Sequence, residues 1–182
     1  MNITIIGAGA WGTALAISLS ACHRVTLLAR DAAQVEAMRA IRRNQRYLPD
    51  IPLPAGLELS ADFPAALQVA DLAVIAVPVS ALRSTLHQLG QLPGRPGVVW
   101  VCKGFEAGTS LLPHQAFEEA LPEGYKCGVL SGPSFAQEVA RGLPTALTLA
   151  SGDEEFARST AQALRHAHLR IYASGDVAGV EV

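Results

Sequence analysis

The hexapeptide Gly7-Ala8-Gly9-Ala10-Trp11-Gly12 constrains the chain more than any other feature. It matches G-x-G-x-x-G in the context that gives the pattern physical meaning. An apolar, β-branched run precedes it, a helix-forming run follows, and an acid, Asp31, lies about 20 residues on. In such a turn Gly7 permits the tight bend, Gly9 lets the backbone approach a pyrophosphate, and Gly12 lets the helix pack against the strand. The first-turn N–H groups and the helix dipole then face the anion. The turn predicts a βαβ unit that binds a dinucleotide.

The rest of the chain continues the alternation. Asn2–Ile6 and Val25–Ala29 are predicted as strands buried on both faces, with helices over Trp11–Ala21 and Ala32–Arg43. Tyr47–Pro54 carries three prolines in eight residues, which excludes both a helix and a central strand and leaves a loop or an extended excursion. Further strands are predicted at Leu57–Ser60, Leu72–Val77, Val98–Cys102, Cys127–Leu130, Thr145–Ala150 and Leu169–Tyr172. Helices are predicted at Pro64–Val69, Val79–Leu89, Leu111–Leu121 and Phe135–Arg141, and near Asp153–Ala167. This is the pattern of a Rossmann-like, doubly wound α/β domain over residues 1–182. Its sheet is mainly parallel, with one or two extra strands at the C-terminal end.

Composition removes several functional classes. A formal net charge of −2 gives no basic field for nucleic acid or an anionic membrane. No apolar run approaches the roughly 20 residues needed to span a bilayer. The apolar N-terminus lacks a basic n-region and runs straight into the glycine turn, so it reads as a strand and not a signal peptide. The expectation is a cytoplasmic protein. Cys22, Cys102 and Cys127 are odd in number and lack zinc-ligand spacing, so reduced thiols and no metal are expected. The five histidines, at 23, 87, 114, 166 and 168, show no pairing that suggests a relay and read as structural.

Three further positions bear on ligand binding. Arg30, just ahead of Asp31, stands where an acid would bond the ribose 2′-OH of NAD, and an arginine there accommodates the 2′-phosphate of NADP. The choice between NAD and NADP stays open. Lys103, in Cys102-Lys103-Gly104-Phe105-Glu106, follows a strand on the side where open α/β sheets bind ligands. Lysine is rare here: Lys103 and Lys126 are the only two, twelve arginines making up the rest of fourteen basic residues. The side chain of Lys103 either holds a phosphate or carbonyl or snorkels at the surface. Ser134, with Gln137 three residues on, forms a predicted capping box at a helix start that also suits an anion.

The ordered set GAGAWGTALA, Asn44-x-x-Tyr47-Leu48-Pro49, Val77-Pro78, CKGFE, LSGPSFAQEV and GLPTA at Gly142–Ala146 resembles the bacterial NAD(P)-dependent sn-glycerol-3-phosphate dehydrogenases. The resemblance runs through the whole chain. It implies reversible hydride transfer between NAD(P)H and dihydroxyacetone phosphate, giving sn-glycerol 3-phosphate for phospholipid synthesis. It implies cofactor contacts at Gly7, Gly9, Ala10, Trp11, Gly12, Arg30, Lys103 and Ala136, and substrate contacts at Lys103, Gly132 and Ser134. A homodimeric parent enzyme is a further implication.

The family's proton donor is expected to be a lysine in a GALKN-like motif, at the start of a mostly helical second domain. No such motif precedes Val182, so no catalytic acid is assigned within the chain. The sequence-based expectation is an N-terminal domain that binds cofactor with little turnover. The alternatives are a stand-alone dinucleotide-binding or sensing module, and a related dehydrogenase acting on a hydroxy acid. The SGPSFA and proline segments argue against the last.

Overall fold

The computed structural model describes residues 1–182. The first half runs β1 (Asn2–Ile6), α1 (Ala10–Leu19), β2 (Arg24–Leu28), α2 (Ala32–Ile41), β3 (Arg43–Asn44), β4 (Leu48–Pro52), β5 (Glu58–Ser60), α3 (Phe63–Gln68) and β6 (Leu72–Ile75). Then come α4 (Val79–Gly90), β7 (Gly97–Trp100), α5 (Pro113–Ala120), β8 (Cys127–Ser131), α6 (Ala136–Ala140), β9 (Thr145–Ala150), α7 (Glu154–Leu164), β10 (Leu169–Ser174) and α8 (Val177–Glu181).

Eight strands form one sheet in the order β10-β9-β8-β7-β6-β1-β2-β5. From β5 to β8 every neighbouring pair is parallel, β9 pairs antiparallel with β8, and β10 runs parallel to β9. The two reversed strands are the C-terminal extension expected from sequence. Helices cover both faces, which is why β6 and β7 are continuous apolar runs and Thr4 within β1 is buried with its hydroxyl donating to the Ala66 carbonyl. On one face Leu15 of α1, Val35 of α2 and Phe156 of α7 pack over Ile3, Ile5 and Val99. On the other, Leu67 of α3, Leu86 of α4 and Phe117 of α5 pack over Ile6, Ile75 and Trp100.

The proline segment is an ordered, extended excursion, in keeping with its composition. Strand β4 pairs antiparallel with β3 as a separate two-stranded ribbon. Leu48 and Ile51 bury against Ala14 of α1 and against Val139 and Ala140 of α6. The ribbon thus fastens α1 and α6 together.

Two expectations change. The helix predicted near Asp153–Ala167 stops at Leu164, because Arg165 is extended and His166 bridges to Leu169. Helix α8 has no counterpart in the sequence reading, since Val177-Ala178-Gly179-Val180-Glu181 contains weak helix formers. It forms because Asp176 caps it, accepting the Gly179 N–H at 2.9 Å, and because Val177 and Val180 pack onto the second core.

Candidate functional site

The C-terminal ends of β1, β6, β7 and β8 lie at one edge of the sheet. That edge collects the glycine turn after β1, Ala76–Pro78 after β6, the Lys103 loop after β7 and Gly132–Ser134 after β8. Strand β1 lies between β2 and β6, so the connections leave its two sides in opposite directions and open a crevice there.

The turn is built by contact. Gly7 has φ +115°, and a Cβ on it would stand 2.6 Å from the Ala76 carbonyl oxygen. A Cβ on Gly12 would stand 2.0 Å from the Gly7 carbonyl oxygen. The close approach that demands glycine at 12 is therefore between α1 and the turn itself, with the Ala76 side chain next at 3.1 Å. A Cβ on Gly9 meets nothing within 4 Å. The backbone N–H groups of residues 8–12 donate to no group of the chain. Helix α1 has no side-chain cap and no acid in its first turn, whereas Asp31, Asp62, Asp153 and Asp176 cap α2, α3, α7 and α8. Free donors, open space over Gly9 and an uncompensated helix dipole suit a diphosphate.

The other candidate residues fall around this edge. Ala10 and Trp11 open α1 half-buried, and Trp11 packs against the core. Arg30 is exposed just beyond β2. Beside it, the Asp31 carboxylate accepts the Ala33 N–H at 2.9 Å and so serves α2. Ala136 is the first residue of α6, which the ribbon holds against α1. Gly132 lies against β9, 2.9 Å from a would-be Cβ to the Ala146 oxygen. The predicted Ser134–Gln137 capping box is absent. The N-cap of α6 is Phe135, which has no side-chain acceptor, and the Ser134 hydroxyl instead donates to the Gly132 carbonyl at 3.4 Å. One residue of extended chain moves the helix start past Ser134 and leaves its hydroxyl half-buried at the loop.

Lys103 is exposed, and Gly104 after it has φ +94°. The loop is pinned by Glu106, whose carboxylate accepts from Arg83 Nε and Nη2 at 2.8 Å each and from the Thr109 hydroxyl at 2.7 Å. Arg83 also pairs with Glu119 of α5. Hydrogen bonds from Arg83 hold the Glu106 carboxyl down to about 2. Burial pushes the thiol of Cys102 up to about 12.

Sequence reasoning missed the partners of two polar groups near this edge. Glu181 is 0% exposed, and its carboxylate accepts from Trp100 Nε1 at 2.8 Å and from the His114 N–H at 2.9 Å. Its other oxygen lies 2.5 Å from His114 Nδ1. His114 is thus paired with a buried carboxylate, in the structural role read from the sequence and with a partner that reading did not name. The partners stand 67 and 81 residues away from Glu181, so no local pattern announces them. Asn44 is the second such group, 1% exposed beneath the turn. At the opposite edge of the sheet, Met1, Asn2, Cys22, His23 and Arg24 line a wide, open depression. It brings no glycine turn or free helix start to bear on a ligand.

A family model described as NAD-dependent glycerol-3-phosphate dehydrogenase N-terminus matches residues 2–157. Glycerol-3-phosphate dehydrogenase (NAD(P)+) of Thiobacillus denitrificans is 59% identical over 182 residues, covering 100% of this chain and 56% of that protein. The Nitrosomonas europaea protein of the same name is 55% identical over 100% of this chain and 55% of its own length. The crystal structure of glycerol-3-phosphate dehydrogenase from Coxiella burnetii superposes with a TM-score of 0.91 at 35% identity, covering 99% of this chain and 55% of that one. The chain spans about half the length of the relatives it matches.

Proposed function

The chain belongs to the family of NAD-dependent glycerol-3-phosphate dehydrogenase N-termini, and from that premise we propose that it is the cofactor-binding part of an enzyme interconverting dihydroxyacetone phosphate and sn-glycerol 3-phosphate. The observation that carries the reading is the uncapped start of α1, with free N–H groups at residues 8–12 and open space over Gly9. The names of the relatives supply the substrate.

In this reading a nicotinamide dinucleotide, when bound, supplies or accepts the hydride. The N–H groups of Gly9, Ala10, Trp11 and Gly12 bind its pyrophosphate, and Arg30 stands at the adenosine ribose, where it suits a 2′-phosphate. Ala136 contributes backbone from α6. Lys103 offers an ammonium to the substrate phosphate or to the carbonyl where negative charge develops. Gly132 and the Ser134 hydroxyl line the same side. The role of such a reaction is to supply glycerol 3-phosphate for phospholipid synthesis in the cytoplasm.

Reduction of a ketone also needs a proton donor for the developing alkoxide. Lys126 precedes β8 at the far edge of the sheet, so Lys103 is the only lysine near the site. The donor is assigned to the part of the family that extends past this chain, in a helical second domain. Loss of a general acid costs typically about 10²–10⁴-fold in rate, so the 182-residue chain binds cofactor and turns over little.

Titration of NADH and NADPH into the chain, followed by quenching of tryptophan fluorescence, tests this. Saturable binding of at least one is expected, with little oxidation when dihydroxyacetone phosphate is added. No saturation by either at millimolar concentration overturns the cofactor assignment. Turnover comparable with that of the full-length relatives overturns the assignment of the proton donor.

A further inference from the structure

One carbonyl in the glycine turn is held from two sides. Asn44 Nδ2 donates to the Ala8 oxygen at 2.9 Å and to the Thr13 hydroxyl oxygen of α1 at 2.8 Å. Gln34 Nε2, from α2, donates to the same Ala8 oxygen at 3.2 Å. Because a carbonyl only accepts, the orientation of the Asn44 amide follows from the contact. Its Oδ1 is then buried with no partner, an arrangement that costs stability. Asn44 reaches this place because β3 pairs with β4, whose Leu48 is clamped under α1.

The consequence lies on the other side of the peptide. The chain has no cis peptide bonds. In a planar trans unit the C=O and the following N–H point in opposite directions. Holding the Ala8 carbonyl toward Asn44 and Gln34 therefore aims the Gly9 N–H away from them. That N–H has no acceptor in the chain. The Gly12 N–H, in the first turn of α1, is free as well, as the opening N–H groups of any helix are.

We propose that Asn44 and Gln34 are positioning residues for the dinucleotide site, clamping the Ala8 carbonyl so that the N–H group of Gly9 is presented to the cofactor's pyrophosphate. The inference rests on the dinucleotide reading above and adds to it two side chains that touch neither cofactor nor substrate. The unpaired Oδ1 is the cost of placing both amide N–H groups on turn and helix at once.

The test is binding of ADP-ribose, which carries the diphosphate without the nicotinamide, to the 182-residue chain and to Asn44→Asp, Asn44→Leu and Gln34→Ala. Affinity is read by calorimetry and the Gly9 and Gly12 amides by ¹H–¹⁵N NMR. Wild type is expected to bind with downfield shifts of both amide protons. Asn44→Asp and Asn44→Leu are expected to bind about tenfold or more weakly, and Gln34→Ala about threefold, as lost positioning hydrogen bonds imply. The Gly9 shift should shrink in each variant, a signature that a merely less stable but correctly arranged turn does not give. Should the Asn44 variants fail to fold, Gln34→Ala, on the half-buried face of α2, decides alone. Affinity within twofold of wild type with an unchanged Gly9 shift overturns the clamp and leaves the dinucleotide reading intact. Failure of wild type itself to bind ADP-ribose overturns both.

Discussion

Arg83 Nε and Nη2 each donate to one oxygen of Glu106 at 2.8 Å, a two-pronged pair that joins α4 to the loop carrying Lys103. The pair is partly shielded, with the Glu106 side chain 12% exposed, and planar on both sides, the geometry in which an ion pair gains most. Its carboxyl sits at about 2 against an ordinary 4.5. A carboxyl depressed on folding stabilises the fold fully above its unfolded value and loses that contribution as pH falls through the folded one. The stability difference between wild type and Glu106→Gln should thus be constant from pH 8 to about 5 and shrink between 4.5 and 2. Thermal unfolding across that range measures it, and a difference that grows toward acid contradicts the pairing.

Glu181 is buried with its partners complete, so removing it strands the Trp100 and His114 donors. Breaking a buried charged group's network costs roughly 3–5 kcal/mol, and Glu181→Ala is expected at the lower end, about 3 kcal/mol, because His114 keeps access to water. Urea unfolding followed by Trp100 fluorescence gives the value. A loss under about 0.5 kcal/mol, the usual range for surface substitutions, shows that the network does not hold α8.

Gly9 and Gly12 should separate stability from binding. A methyl on Gly12 collides with the Gly7 carbonyl, and overpacking of this kind costs about 1–3 kcal/mol. A methyl on Gly9 enters open space, so Gly9→Ala is expected to keep stability to within about 0.5 kcal/mol. It occupies the volume assigned to the pyrophosphate and should weaken NADH at least tenfold. Equal affinity of Gly9→Ala and wild type places the cofactor elsewhere.

Arg30 is exposed and its neighbour Asp31 is engaged at the start of α2. Arg30→Ala should weaken NADPH by about tenfold, the scale of one charged hydrogen bond, and NADH by less than threefold. Parallel titrations read the ratio. Equal losses for the two cofactors exclude a contact with the 2′-phosphate.

Much of the fold was legible because its signals are local. The glycine spacing, the apolar strands and the prolines at 49, 52 and 54 each act through near neighbours. The errors sit where local signals mislead. Ser134 and Gln137 have cap spacing, but the chain stays extended through Phe135. Helix α8 looks too weak to form, and packing of Val177 and Val180 outweighs propensity.

The G-x-G-x-x-G turn and the alternating strands and helices around it are legible along the chain, because backbone sterics at glycine and hydrophobic periodicity act over a few residues. What fastens the turn, the Lys103 loop and α8 emerges only in the folded chain. Asn44 lies 36 residues from Ala8, Glu106 lies 23 from Arg83, and Glu181 lies 81 from Trp100. Such partners meet only after the sheet orders its strands, and a hydrogen bond's geometry at 3 Å leaves no trace in spacing along the chain.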